Sequence, residues 1–69
     1  MELKRLKHTW STHNYTIEKI DGCDAYHVNK NGKWDNIYRS LKQSKIYIAK
    51  KLGKIYQEVE YKQTYEVIK

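Results

Sequence analysis

Apolar and polar positions alternate along several stretches of the chain and repeat at helical spacing in one. Tyr15-Thr16-Ile17-Glu18-Lys19-Ile20 alternates as a half-buried strand does. Asp21-Gly22-Cys23-Asp24 then reads as a turn, because Asp-Gly supplies a side-chain acceptor and a residue free to take positive φ. Residues 25–29 predict a second strand and residues 34–38 a third. Between them, Asn29-Lys30-Asn31-Gly32-Lys33 is the strongest hairpin signal in the chain.

Two registers compete for that hairpin, and a one-residue slip exchanges the faces of a strand. A two-residue Asn31-Gly32 loop sets Val28 opposite Asp35 and Asn29 opposite Trp34, mixing apolar with polar on both faces. A three-residue loop with Gly32 left-handed sets Val28 opposite Trp34 and His27 opposite Asp35. The second register collects Tyr26, Val28, Trp34 and Tyr38 on one face, and pairing Ile20 with Ala25 adds Ile17 and Tyr15 to it. The apolar pattern therefore favours the three-residue loop. The other face then carries Thr16, Glu18, His27, Asn29, Lys33 and Asp35, a solvated surface of mixed sign.

A helix is expected after Ser40, where Ser40 and Gln43 have the spacing of a capping box. Leu41, Ser44, Ile48 and Leu52 fall on one face, with the aliphatic stem of Lys45 beside them. Gly53 suits the position just past the helix end. Beyond it, Ile55, Val59, Tyr61, Tyr65 and Val67 fall on odd positions and Glu58, Glu60, Lys62, Thr64 and Glu66 on even ones, which predicts a strand within 57–68. Residues 1–13 predict an N-terminal arm or short strand anchored by Leu6 and Trp10. The expected architecture is one α+β domain over residues 1–69: a small antiparallel sheet of three or four strands with one α-helix packed on one face.

Size and composition limit what such a domain can do. A chain of 69 residues buries only about 60 % of the surface its unfolded form exposes, so its core is thin. Phe is absent, and the nine aromatic residues are two Trp and seven Tyr, whose hydroxyls favour the edge of a core. A deep catalytic pocket is not expected from such material, and binding without catalysis is the better expectation. The single cysteine, Cys23, excludes an internal disulfide and points to a reducing compartment. No apolar run follows the N-terminal charges, and none approaches the roughly 20 residues of a membrane span. The expectation is a cytoplasmic protein with no membrane partner. Enrichment in Lys, Ile, Tyr and Asn, residues with AT-rich codons, points to an AT-rich bacterium, phage or plasmid as source.

Charge sharpens the picture. The formal net charge is +6, and residues 39–54 carry six cations and no acid: Arg39, Lys42, Lys45, Lys50, Lys51 and Lys54. At about 100° per residue, Arg39, Lys42, Lys50 and Lys54 point away from the Leu41–Ile48–Leu52 stripe, Lys51 lies toward one flank, and Ile46 and Tyr47 sit among the lysines. Cations interleaved with apolar and aromatic side chains suit nucleic acid, where lysines neutralise phosphates and a ring stacks on a base. They also suit an acidic protein surface with an apolar centre. The candidate contact residues are Arg39, Lys42, Ile46, Tyr47, Lys50, Lys51 and Lys54. The expected partner is nucleic acid, DNA or RNA, or an acidic surface of a nucleoprotein complex.

Other constellations are weaker. His8, His13, Cys23 and His27 fit no zinc spacing, so neither a metal nor a small-molecule cofactor is expected. No His–Lys or His–Arg spacing marks the site of a small basic RNase toxin, which stands third among the readings. Second is a protein-binding inhibitor or accessory factor of a mobile element, such as an anti-defence protein of the anti-CRISPR type. The meander and helix over about residues 15–52 are similar in element order to the DNA-binding domains at the front of some phage integrases. No motif accompanies the likeness, and the sheet face those domains turn to DNA carries Glu18 and Asp35 here, so the family is not assigned.

Overall fold

The computed structural model describes residues 5–68. Strands β1 (Arg5–Thr12), β2 (Tyr15–Ile20), β3 (Tyr26–Lys30) and β4 (Lys33–Tyr38) precede helix α1 (Leu41–Leu52). A single 3-10 turn (Tyr56–Glu58) and strand β5 (Lys62–Ile68) complete the chain. All five strands form one antiparallel sheet in the order β4-β3-β2-β1-β5. The α+β class and the single helix agree with expectation, but the sheet has five strands. The additional one is β1, a full eight-residue strand inside the sheet between β2 and β5. Asp21 fixes its start: the Leu6 N–H donates to the Asp21 carboxylate, and the Asp21 N–H donates to the Leu6 carbonyl at 2.9 Å.

The turn after β2 closes through a Cys23 N–H to Ile20 carbonyl bond of 3.0 Å, with Gly22 at φ 90°, as a turn of type II geometry requires. It gives the β2–β3 register that the apolar pattern predicts, with Ile17 opposite Val28 and Glu18 opposite His27.

The β3–β4 hairpin corrects the expected register. Its loop is the two-residue Asn31-Gly32, with φ 54° and 78°, and it places Lys30 opposite Lys33 and Asn29 opposite Trp34. Both central residues left-handed is the combination that matches strand twist in the tightest hairpins. The apolar conflict of this register is relieved by a bulge. Asn29 faces Trp34 but Val28 faces Asn36, so Asp35 is an extra residue that resets which side each later side chain occupies. Val28, Tyr26 and Tyr38 return to the helix side, whereas Trp34 lies on the opposite face, 64 % exposed. Lys33 and Asp35, expected on the solvated face, point to the helix side instead; Thr16, Glu18, His27 and Asn29 are where the pattern put them.

The core is thin, as the length implies. Trp10, Tyr15, Ile17, Val28 and Ile48 are its buried members, flanked by half-buried Tyr26, Tyr38, Leu41, Tyr47, Leu52 and Tyr61. The helix begins where Ser40 Oγ accepts from the Gln43 N–H at 3.0 Å and ends at Gly53, φ 68°. Buried Ser44 is satisfied by donating from Oγ to the Ser40 carbonyl at 3.1 Å. The last strand lies within the expected 57–68 window, after a 3-10 turn at Tyr56–Glu58. The helix packs over β3 and β4 and stops short of β5, so Tyr65 and Val67, expected on an apolar face, are 70 % and 52 % exposed.

The register is checked by two truncations with opposite expectations. Val28→Ala removes a fully buried side chain and should cost about 2 kcal/mol in chemical denaturation, whereas Trp34→Ala should cost under about 1 kcal/mol. Ser40→Ala should cost about 1 kcal/mol through loss of the cap.

Candidate nucleic-acid interface

The helix is placed on the sheet by its apolar stripe, and this placement exposes its opposite side. Lys42, Lys50, Lys51, Lys54 and Arg39 are exposed, while Lys45 and Ile46 are half-buried. The ion pairs among the described residues lie elsewhere: Lys7 with Glu18 and Glu66, and His8 with Asp21. Hydrogen bonding to Glu18 raises the Lys7 pKa, with further contributions from the charges of Glu18 and Glu66 against a smaller opposing effect of burial. Glu18 also accepts from the Asn29 side-chain amide. Glu18 and Glu66 are thus engaged with the sheet cation Lys7, and no described carboxylate lies within ion-pair distance of the cations at 39–54.

Two of the helix lysines are steadied by rings instead of by acids. Lys45 Nζ sits 5.0 Å from the centroid of Tyr61, whose hydroxyl reaches the Lys45 carbonyl at 3.5 Å. Lys51 Nζ sits 5.5 Å from the centroid of Tyr47. Such contacts hold an ammonium group in place without neutralising it. Lys54 Nζ lies 3.4 Å from His13 Nε2, whose Nδ1 is 3.1 Å from the Thr12 hydroxyl. This contact ties the Lys54 side chain, just past the helix end, to the β1–β2 turn. Beside it, Ser11, Thr12, His13, Lys54, Glu58 and Tyr61 help to line an open depression of about 550 Å³.

Tyr47 stands differently from expectation. It leans over the β4 flank instead of projecting from the outer face, and its hydroxyl donates to Asp35 Oδ2 at 2.6 Å. Its ring lies 5.4 Å from that of Tyr38. The hydrogen bond to Asp35, with burial and the Asp35 charge adding to it, pushes the Tyr47 pKa up to about 12. Burial chiefly, with Tyr56 nearby, does the same for Tyr61. Tyr47 therefore serves to hold the helix against the bulge, and the apolar element left on the contact face is Ile46. Ile46 shares a shallow hollow of about 290 Å³ with Tyr38, Gln43, Tyr47 and Lys50.

The structure also adds two cations that the sequence reasoning missed. In the two-residue loop register Lys30 and Lys33 are direct cross-strand partners. Lys30 Nζ lies 5.8 Å from the centroid of buried Tyr15, which fixes the helix side as theirs. The Asn31 N–H donates to the Asn14 carbonyl at 2.8 Å, so this hairpin tip abuts the β1–β2 turn that carries His13. Lys30, Lys33, His13 and Lys54 thus gather at one end of the molecule. Their signal in the sequence was Asn31-Gly32 itself, since the shortest loop makes the flanking lysines face each other.

The remaining metal-type residues stay apart: Cys23 is exposed in its turn, and no group of three His, Cys, Asp or Glu side chains among the described residues is placed to hold a metal ion. No helix among the described residues is long and apolar enough to cross a membrane. No known family, curated protein or solved structure matches this chain.

The role of Tyr47 has a pH signature. Its folded pKa lies above the ordinary value of 10.0, so its contribution to stability is fully present below pH 10 and is lost as the pH rises toward 12. Tyr47→Phe should cost about 1 kcal/mol at pH 7. The difference in melting temperature between wild type and variant should then shrink between pH 10 and 12; a constant difference would show that the hydroxyl bond is not the source of the stability.

Proposed function

We propose that this protein is a non-enzymatic nucleic-acid-binding protein whose basic helix face and adjoining hairpin tips contact the phosphate backbone. The observation that carries this reading is the separation of charge. Glu18 and Glu66 are paired with Lys7 and Asp21 with His8, whereas Arg39, Lys42, Lys50, Lys51 and Lys54 have no carboxylate partner among the described residues. A concentrated set of un-neutralised cations on one side of a small domain is the electrostatic footprint of a polyanion-binding surface.

The opposed Lys30 and Lys33 support the same reading by a different route. Like charges directly opposite in an antiparallel pair destabilise the fold. An anion bound between or beside them would remove that penalty. With Tyr47 engaged by Asp35, the contact is expected to rest on phosphate neutralisation more than on base stacking, and Ile46 supplies apolar contact to sugar or base.

A second reading is favoured by Trp34. An exposed Trp with exposed Ile37 on the sheet face opposite the helix is the kind of anchor that protein interfaces use. On that reading the protein is an inhibitor or accessory factor that docks on a nucleic-acid-handling complex, with the sheet face as its contact.

Reversal of Lys42, Lys50 and Lys54 to Glu distinguishes the two. The triple variant should keep its circular dichroism spectrum and lose binding to duplex or single-stranded oligonucleotides in fluorescence anisotropy, while Trp34→Ala should bind as wild type does. Absence of oligonucleotide binding by the wild type, with a protein partner from a nucleic-acid-handling complex retained by the triple variant and lost by Trp34→Ala, would support the protein-docking reading. Lys33→Glu should stabilise the free protein by roughly 0.2–1 kcal/mol, by turning a like-charge pair into an opposite-charge one, and should weaken nucleic-acid binding. A variant that gains stability and binds unchanged would remove the hairpin tip from the interface.

A further inference from the structure

The two edges of the sheet are built differently. The β4 edge is interrupted by the Asp35 bulge and continues directly into the helix cap at Ser40, and a bulge twists an edge away from further pairing. The β5 edge has no such device. It pairs with β1 over seven consecutive residues without a register shift, from Lys62 opposite Ser11 to Ile68 opposite Arg5. It contains no proline, and its sequence KQTYEVI carries exposed Tyr65 and Val67 on the helix side of the sheet, beyond the end of the helix's cover. One row of its backbone N–H and C=O groups is left without a strand partner among the described residues.

We propose that β5 is a dimerisation edge, at which two copies of this chain pair β5 against β5 in antiparallel fashion with Thr64 opposite Thr64. The occupant follows from the charge pattern. A two-fold axis that continues the sheet keeps each face continuous, so every residue must meet one of its own parity. Centred on Thr64, this pairing sets Lys62 of each copy opposite Glu66 of the other, twice per dimer, on the face away from the helix. On the helix side Tyr65 meets Gln63 of the second copy, and the two Tyr65 rings become diagonal neighbours, within reach of one another. The same segment thus supplies both halves of a self-complementary contact, as a closed two-fold interface demands. Because the β4 edges are blunted, the ten-stranded sheet stops at two copies and does not grow into a fibre. The proposal is independent of the nucleic-acid reading, since it uses none of residues 39–54.

The test is the mass of the intact chain in solution, measured by sedimentation equilibrium from about 1 μM to about 1 mM. The expected result is a reversible shift from the 8.4 kDa chain mass to twice that value. Lys62→Glu should raise the dissociation constant at least tenfold, and combining it with Glu66→Lys should restore dimerisation by re-forming both ion pairs in the reverse sense. Thr64→Cys in a Cys23→Ser background should form a disulfide-linked dimer on mild oxidation, which keeps the proposal testable should a charge variant fail to fold. A monomer at every concentration, a dimer indifferent to Lys62→Glu, or a Thr64→Cys chain that does not cross-link would each overturn the proposal.

Discussion

A strand changes face at every residue, and in this protein the β3–β4 hairpin can satisfy both of its ends only by inserting one residue. The tight Asn31-Gly32 turn fixes the pairing at the tip, while Val28, Tyr26 and Tyr38 must face the helix further along. Without the bulge, one of these demands would fail. With it, Trp34 turns outward and Asp35 turns inward, and Asp35 becomes the acceptor that holds Tyr47 and with it one flank of the helix. The apolar stripe seats the helix, and the inserted residue supplies the hydrogen bond that holds its β4 flank.

That arrangement partitions the charge of the molecule. The acids on the outer sheet face meet Lys7 and Asn29, and Asp35 accepts from a tyrosine hydroxyl, so none of these carboxylates forms an ion pair with a helix cation. The helix cations are steadied by Tyr47 and Tyr61, which leave their charge intact. A domain with so small a core gains nothing in stability from repelling lysines on one side. On the proposed reading their concentration there, continued by Lys30 and Lys33 at the hairpin tip, is a cost in the free protein that a bound anion would offset.

What the sequence disclosed follows the range of the forces involved. Ser40 and Gly53 bound the helix through contacts with their own neighbours, and the Asp21-Gly22 turn sets the β2–β3 register locally, so all three are legible one residue at a time. The side of Trp34 is not, because alternation assumes an unbroken ladder and the bulge breaks it. Helical angles alone put Tyr47 on the outer face, but it sits near the flank, where one hydrogen bond to Asp35 decides its direction. Strand β1 was underestimated because its inward positions, Leu6, His8, Trp10 and Thr12, are half polar. Tyr65 and Val67 alternate correctly, yet a twelve-residue helix spans only about 18 Å and lies over β3 and β4, leaving them uncovered. Of the candidate contact residues, Arg39, Lys42, Lys50, Lys51 and Lys54 are exposed as the spacing implies, whereas Lys30 and Lys33 depend on the hairpin register.

The central claim is that phosphate neutralisation by this cationic surface drives binding, and the most direct measurement is the salt dependence of affinity. The logarithm of the association constant for an oligonucleotide is measured against the logarithm of salt concentration. Each neutralised phosphate contributes a slope of about −0.9 on duplex DNA or about −0.7 on a single strand. With several cations engaged, the account predicts a slope steeper than about −2. A slope near zero, or no binding at low salt, would contradict it.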